Sequence, residues 1–354
     1  MQIQVFESVA ALPSAIARQC AFPGVDNFFL SLDWFACLYE TALHASVTPR
    51  IYCVLDDGEQ VVAVLYGATR DGDRTLYSLT NFYTMEFAPV FVGGTGMSVD
   101  VVRHLADFLS AERPAWNAVD FRFLVEDAAG NAAVQTALRA NGFSVGTFFM
   151  YENWSADTTG VDFDAFYAAL PSRLRNTIKR REKKLNKAHG TRIEIFTEPG
   201  DALQQAIEDY VTVYNKSWKE PEPFPDFTPR LISLTAELGI LRLGVLYVDD
   251  EPAAAQIWVN SKDGTLIYKL AYDEAFSEFS TGSILSRELF RHAIDVDNVR
   301  EIDYGVGSEN YKKDWMNSVR RLEGMQAYNT RTASGFWRAG QRSATAMVKR
   351  LLGR

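Results

Sequence analysis

Apolar positions recur every second residue in some stretches and every third or fourth in others, and the change of period marks out the elements. Ile3 to Glu7 reads as a first strand, and Leu30 to Thr41 as a helix with Leu32, Phe35 and Leu38 on one side. Arg50 to Leu55 and Gln60 to Ala68 flank Asp56-Asp57-Gly58, a hairpin turn signal. Thr75 to Thr80 is a strand, Asn81 to Gly96 an aromatic, glycine-rich loop, and Val101 to Ser110 a helix. Ala118 to Leu124 is a strand, and Ala132 to Ala140 a helix that stops at Asn141-Gly142. Phe143 to Trp154 is strand-like again.

The second half repeats this order. Thr191 to Thr197 is a strand, Asp201 to Trp218 a helix, Pro221 to Pro229 a proline-rich loop and Leu231 to Leu238 a helix. Leu241 to Val248 and Ala253 to Val259 flank another hairpin turn. Leu266 to Tyr272 is a strand, a polar turn runs to Ser280, and Thr281-Gly282-Ser283 opens an amphipathic helix. A strand at Glu301 to Tyr304 ends in Gly305-Val306-Gly307. Val319 to Asn329 reads as strand and Ser334 to Leu352 as helix. Several short matches keep the same order in both halves: Thr75-Leu76-Tyr77 with Thr265-Leu266-Ile267, Thr95-Gly96 with Thr281-Gly282, and Val119-Asp120-Phe121 with Ile302-Asp303-Tyr304. A structural duplication follows. The first copy lacks any counterpart of Gly305 to Lys312, so the expected layout is a degenerate domain at 1–155, a linking basic helix at 156–190, a catalytic domain at 191–333 and a C-terminal helix at 334–354.

The strand, glycine-containing turn, helix and strand from Thr265 to Trp315 carry the candidate chemistry. A glycine turn before a helix leaves backbone N–H groups free to hold a phosphate. Ser280 to Ser283 also serve as an ordinary N-cap. Asp303 at a strand end is either a proton acceptor or a turn cap, and Glu309 either a base or a solvated residue at a helix start. Tyr311 and Trp315, at helical spacing, either reach substrate or pack.

Composition narrows the partners. A net charge of −9 argues against nucleic-acid binding by the whole surface. One stretch departs from it: Arg173, Arg175, Lys179, Arg180, Arg181, Lys183, Lys184 and Lys187 surround the single acid Glu182. It reads either as a solvated linker helix with Leu174, Ile178 and Leu185 inward, or as a contact for an anionic partner such as tRNA or lipid. The three cysteines and four histidines show no paired spacing, so no metal is expected and the thiols are expected reduced. No apolar run spans a membrane and no signal peptide is legible, which makes the cytoplasm the expected compartment.

Leu170-Pro171-Ser172-Arg173-Leu174-Arg175, Tyr272-Asp273 with Phe276, Ser280-Thr281-Gly282 with Leu285, and Asp303-Tyr304-Gly305 with Glu309, Tyr311-Lys312 and Trp315 resemble the GNAT acyltransferases. The branch resembled has two such domains in tandem, and includes acetyltransferase-like proteins associated with bacterial cellulose synthesis and the Fem-type peptidyltransferases. The resemblance implies an α/β fold of two GNAT-like domains, each a mostly antiparallel, mixed central sheet with flanking helices. It implies transfer of an acyl group from acetyl-CoA or another acyl-CoA to an amine on a small molecule, glycan or peptide. Leu270, Tyr272, Ser280, Thr281, Gly282, Ser283 and Ile284 would bind the donor. Asp303, Glu309, Tyr304 and Tyr311 would handle protons, and Lys312, Trp315 and Tyr268 would face the acceptor. The phosphate loop is shorter than the family's usual glycine- and arginine-rich one, and the long helical hairpin of the Fem-type enzymes is absent. The competing readings are an aminoacyl-tRNA-dependent transferase and a non-catalytic binding protein on the same fold.

Overall fold

The computed structural model describes residues 1–351 except Gly94, Thr95, Asp127 and Ser308, and only the backbone of 346–351. In chain order the strands are β1 (Gln2–Phe6), β2 (Val47–Leu55), β3 (Val61–Arg70), β4 (Thr75–Ser78), β5 (Val90–Phe91), β6 (Ala118–Val125), β7 (Phe143–Asp157), β8 (Thr191–Phe196), β9 (Leu241–Val248), β10 (Glu251–Asn260), β11 (Gly264–Tyr272), β12 (Glu301–Val306) and β13 (Ser318–Asn329). The helices are α1 (Ser14–Cys20), α2 (Leu32–Thr41), α3 (Val99–Ala111), α4 (Ala129–Ala140), α5 (Phe163–Ala169), α6 (Ser172–Ala188), α7 (Asp201–Asn215), α8 (Phe227–Glu237), α9 (Thr281–Arg291), α10 (Lys312–Trp315) and α11 (Ala333–Leu351).

The chain forms two compact units, one of Met1–Tyr151 with Arg321–Arg354, the other of Glu152–Arg320. The first unit's sheet runs β1-β2-β3-β4-β6-β13, with β5 paired to β3. The second runs β8-β9-β10-β11-β12-β7. The two orders correspond strand for strand, and each sheet has one parallel pair, β4–β6 in the first and β11–β12 in the second. Both parallel pairings cover three positions and end on an aspartate, Tyr77 opposite Asp120 and Leu266 opposite Asp303. Thr95, the first half's counterpart of Thr281 in the sequence matching, lies outside the described residues.

These units divide the chain differently from the spans read off the sequence. Leu322 to Tyr328 of β13 pair with β6 and belong to the first unit. Residues 153–157 of β7 pair with β12 and belong to the second. The basic helix packs its apolar side on the second unit. Ile178 and Leu185 of α6 are buried in the second unit's core, beside Trp258, Leu285 and Phe290. The C-terminal helix starts at Ala333, and the side chains of Met347, Val348, Lys349, Arg350, Leu351 and the residues after them lie outside the described part.

In the second unit β9 and β10 are almost continuously apolar and buried, because helices cover both faces of the sheet. A Cβ on Gly244 would lie 2.8 Å from Leu289 Cδ1 of α9. Tyr247, three residues on and so on the other face, donates its hydroxyl to Asp209 of α7. Helix α9 therefore lies on one face and α7 on the other.

Candidate active site

The site is built where β11 and β12 part. They pair at Gly264–Glu301, Thr265–Ile302 and Leu266–Asp303 and no further. Two irregularities drive them apart. On β11, Ile267 pairs with Trp258 and Lys269 with Ile257, so Tyr268 is the extra residue of a bulge, a feature that bends a strand. On β12, the pairing to β7 shifts between Asp303 and Val306, where Gly305 takes a left-handed φ of 69°. Past Leu266 the facing edge of β11 has no strand partner, so its amide groups are available to a ligand.

At the end of β11, Tyr272 packs against the start of α9: a Cβ on Gly282 would lie 3.3 Å from the Tyr272 ring. Trp218 covers the other side of Tyr272, with ring centroids 4.6 Å apart. Ser280 precedes α9 in the left-handed conformation, φ 56°. Its hydroxyl does not cap the helix; its carbonyl accepts from the N–H groups of Ser283 and Ile284. The Ser280 N–H donates to the Ser277 carbonyl, so of the five residues expected to bind the donor there, Thr281 and Gly282 are the two whose amides are not taken up by these bonds. The buried Thr281 hydroxyl has no partner among the described residues.

Beneath this turn lies a buried polar chain. Trp258 Nε1 donates to Gln256 Oε1 at 3.0 Å, and Gln256 Nε2 donates to the Gly282 carbonyl at 2.9 Å and Ser286 Oγ at 2.8 Å. Tyr304 lies beside Ser286, and burial pushes its phenol well above its usual range. The reading of the sequence missed Gln256 and Ser286. The available signal was a lone amide within the apolar run Ala253 to Val259, and a serine on the inward side of α9.

The residues expected at the far end fall into three groups. Asp303 is buried and fully engaged, accepting from Asn153 Nδ2 at 2.7 Å, the Gly305 N–H at 2.6 Å and Arg320 at 2.5 Å. Its oxygens hold the β12 turn, which is the geometry of an anchor. Trp315 is only 3% exposed and stacks on Phe290 at 4.6 Å and 7°, so it is packed in the core rather than turned to an acceptor. Tyr268 is also buried, whereas Leu270 is half-buried against the core.

The third group is an open triad. Lys312 is 4% exposed, with its ammonium held by the Val306 carbonyl at 2.6 Å and Glu309 at 3.1 Å. Burial lowers its pKa. The glycine turn makes room for this arrangement: at Gly307, φ 122°, a Cβ would lie 2.3 Å from Glu309 Oε2 and 2.9 Å from Lys312 Nζ. Glu309 is exposed, and Tyr311 is 44% exposed with its ring edge-on to Tyr304 at 5.6 Å. Burial first and the Glu309 charge second hold the Tyr311 phenol protonated above its usual range. Among the described residues no cluster of histidine, cysteine or acidic side chains could hold a metal, and no helix is long and apolar enough to cross a membrane.

This is a GNAT-type fold, present twice. Residues 172–313, which contain the whole splayed site, match the acetyltransferase (GNAT) domain family. Solved structures share the fold over most of the chain. FemX covers 92% of this chain and 97% of its own at 10% identity, with a TM-score of 0.61. A conserved protein of unknown function from Bacteroides thetaiotaomicron covers 92% and 100% at 12% identity, with a TM-score of 0.58. L-PGS from Bacillus licheniformis covers 91% and 96% at 13% identity, with a TM-score of 0.51. No curated protein matches the sequence.

Proposed function

We propose that the second unit is an N-acyltransferase that takes its acyl group from an acyl-CoA and passes it to an amine. The observation that carries this reading is the parting of β11 and β12 directly after Leu266–Asp303, with the α9 start at the end of the same strand. The donor diphosphate would rest on the Thr281 and Gly282 amides, where the helix dipole favours negative charge and the Thr281 hydroxyl lacks a partner. The acyl arm would run between the strands, and an unpaired β11 amide near Leu270 would stabilise the oxyanion.

In the chemical step the amine lone pair attacks the thioester carbonyl carbon, an N–C bond forms and the C–S bond breaks. Glu309 takes the proton leaving the nitrogen, and Tyr311, held protonated, returns one to the departing thiolate. Asp303 and Tyr304 position the turn and are not asked to exchange protons.

Titration calorimetry with acetyl-CoA and longer acyl-CoAs tests the donor. The expected result is binding to the wild-type protein, weakened about tenfold or more in Gly282→Val, whose new side chain presses on Tyr272. Failure of every acyl-CoA to bind would overturn the coenzyme A reading. A second reading, an aminoacyl-tRNA donor, is favoured by one observation: Lys179, Arg180, Lys183 and Lys187 of α6 are all exposed.

A further inference from the structure

Three lysines of the second unit lie within reach of one another's charge, with Lys269 on the face opposite α9. Lys269 projects from β11 onto the Tyr214 ring of α7, at 5.5 Å from its centroid, and forms an ion pair with Glu222. Lys312 is paired with Glu309 and donates to the Val306 carbonyl. Lys219 lies in the loop after α7, its ammonium 5.7 Å from the ring centroids of both Tyr214 and Trp218. Among the described residues no carboxylate forms an ion pair with it. It is half-buried and feels the charges of Lys269 and Lys312 as well as those of Glu222 and Glu309. Burial, and then the Lys269 charge, push its pKa down to about 8.

A cation partly withdrawn from water beside two others, with no carboxylate in direct ion pair, carries a free-energy cost that loss of its proton or an incoming anion relieves. The two aromatic rings offer π faces and an apolar wall beside the charge. The donor turn lies at the α9 side of β11, because Tyr272, three residues from Lys269, packs there. An anion on Lys219 would therefore enter from the α7 side, with the gap between β11 and β12 in reach of both.

We propose that the amine acceptor carries an acidic group, a carboxylate or a phosphate, and that Lys219 binds it between Trp218 and Tyr214 at the mouth of the β11–β12 gap. This assignment rests on the acyltransferase reading of the same site. The anion could also come from the donor's own phosphates, so the test separates the two.

The full chain is reductively methylated with an isotope label, which keeps the lysine charges, and the Lys219 resonance is assigned by its loss in Lys219→Arg. It is then titrated with inorganic phosphate and with acetate, each with and without saturating coenzyme A. The expected result is that at least one anion moves the Lys219 resonance and raises its pKa by about one unit, a tenfold linkage, and does so with coenzyme A bound as well. Lys219→Met, followed by calorimetry, should weaken binding of that anion about tenfold or more. If neither anion moves Lys219, the proposal falls even where coenzyme A binds. If coenzyme A alone moves the resonance and abolishes the anion effect, the site belongs to the donor and the proposal falls. If the anion binds Lys219 and coenzyme A does not bind at all, the pocket stands and the donor assignment fails instead.

Discussion

Lys312 has its ammonium fixed by the Val306 carbonyl and Glu309 before any substrate arrives, and that pairing orients the Glu309 carboxylate as well. Glu309 remains exposed, so an amine can reach it. Asp303 sits a few residues away with every nearby donor already satisfied. The two acids should therefore fail differently. Glu309→Gln should lower kcat by about 10²–10⁴ with an unchanged melting temperature, as for loss of a general base. Asp303→Asn should lower stability by about 1–3 kcal/mol, because Arg320 and the β12 turn lose their charge-assisted bonds. Steady-state kinetics and thermal melts on both variants check this; equal kcat losses without destabilisation would reverse the roles. The sequence put these residues on one short stretch, but it could not say which were spent on the fold. Asp120 is instructive, since it occupies the matching position in the first unit and is paired there with Arg122. An aspartate at that point is part of the duplicated scaffold. Trp315 was ambiguous for a similar reason: spacing alone cannot separate a packed tryptophan from an exposed one, and its partner Phe290 is distant in sequence. Lys219 gave no local signal at all, because its setting is made by Tyr214, Lys269 and Lys312 from three different elements.

At the scale of elements, α6 shows how one helix divides its charges. Its apolar stripe of Leu174, Ile178 and Leu185 faces the core. Glu182 forms a two-pronged ion pair with Arg287 of α9, at 2.7 and 2.6 Å, while Lys184 pairs with Glu278 and Arg173 with Asp314. At about 100° per residue, the exposed Lys179, Arg180, Lys183 and Lys187 fall within an arc of about 100°, while Arg175 and Arg181 are half-buried. The exposed charges left unpaired among the described residues thus form a basic stripe. Reversing these four charges to Glu should leave the far-ultraviolet spectrum unchanged. If the donor is an aminoacyl-tRNA, transfer should fall at least about tenfold and lose its salt dependence; unchanged transfer would remove the tRNA reading. The amphipathic pattern of α6 was readable from its residues. Its docking was not, because the surface it covers is assembled from α9 and the turn at Glu274–Phe279, which follow it in the chain.

At the scale of the whole chain, the repeated strand order was legible because the hydrophobic period repeats with it. The membership of β7 and β13 was not. Periodicity identifies a strand but not its neighbour, and each strand completes a sheet whose other members lie in the other half of the sequence. A chain shortened after Arg320 should therefore destabilise the first unit and spare the second. Hydrogen exchange would show it as loss of protection in β6 with retention in β9 and β10; protection lost equally in all three would contradict it. The same exchange of strands has a bearing on synthesis. A ribosome delivers β1 to β6 first, yet β6 waits for β13 until the whole second unit has been made. The half that emerges earlier is thus the half that can finish folding later, and a nascent chain exposes an unpaired β6 edge for as long as translation of the second unit takes.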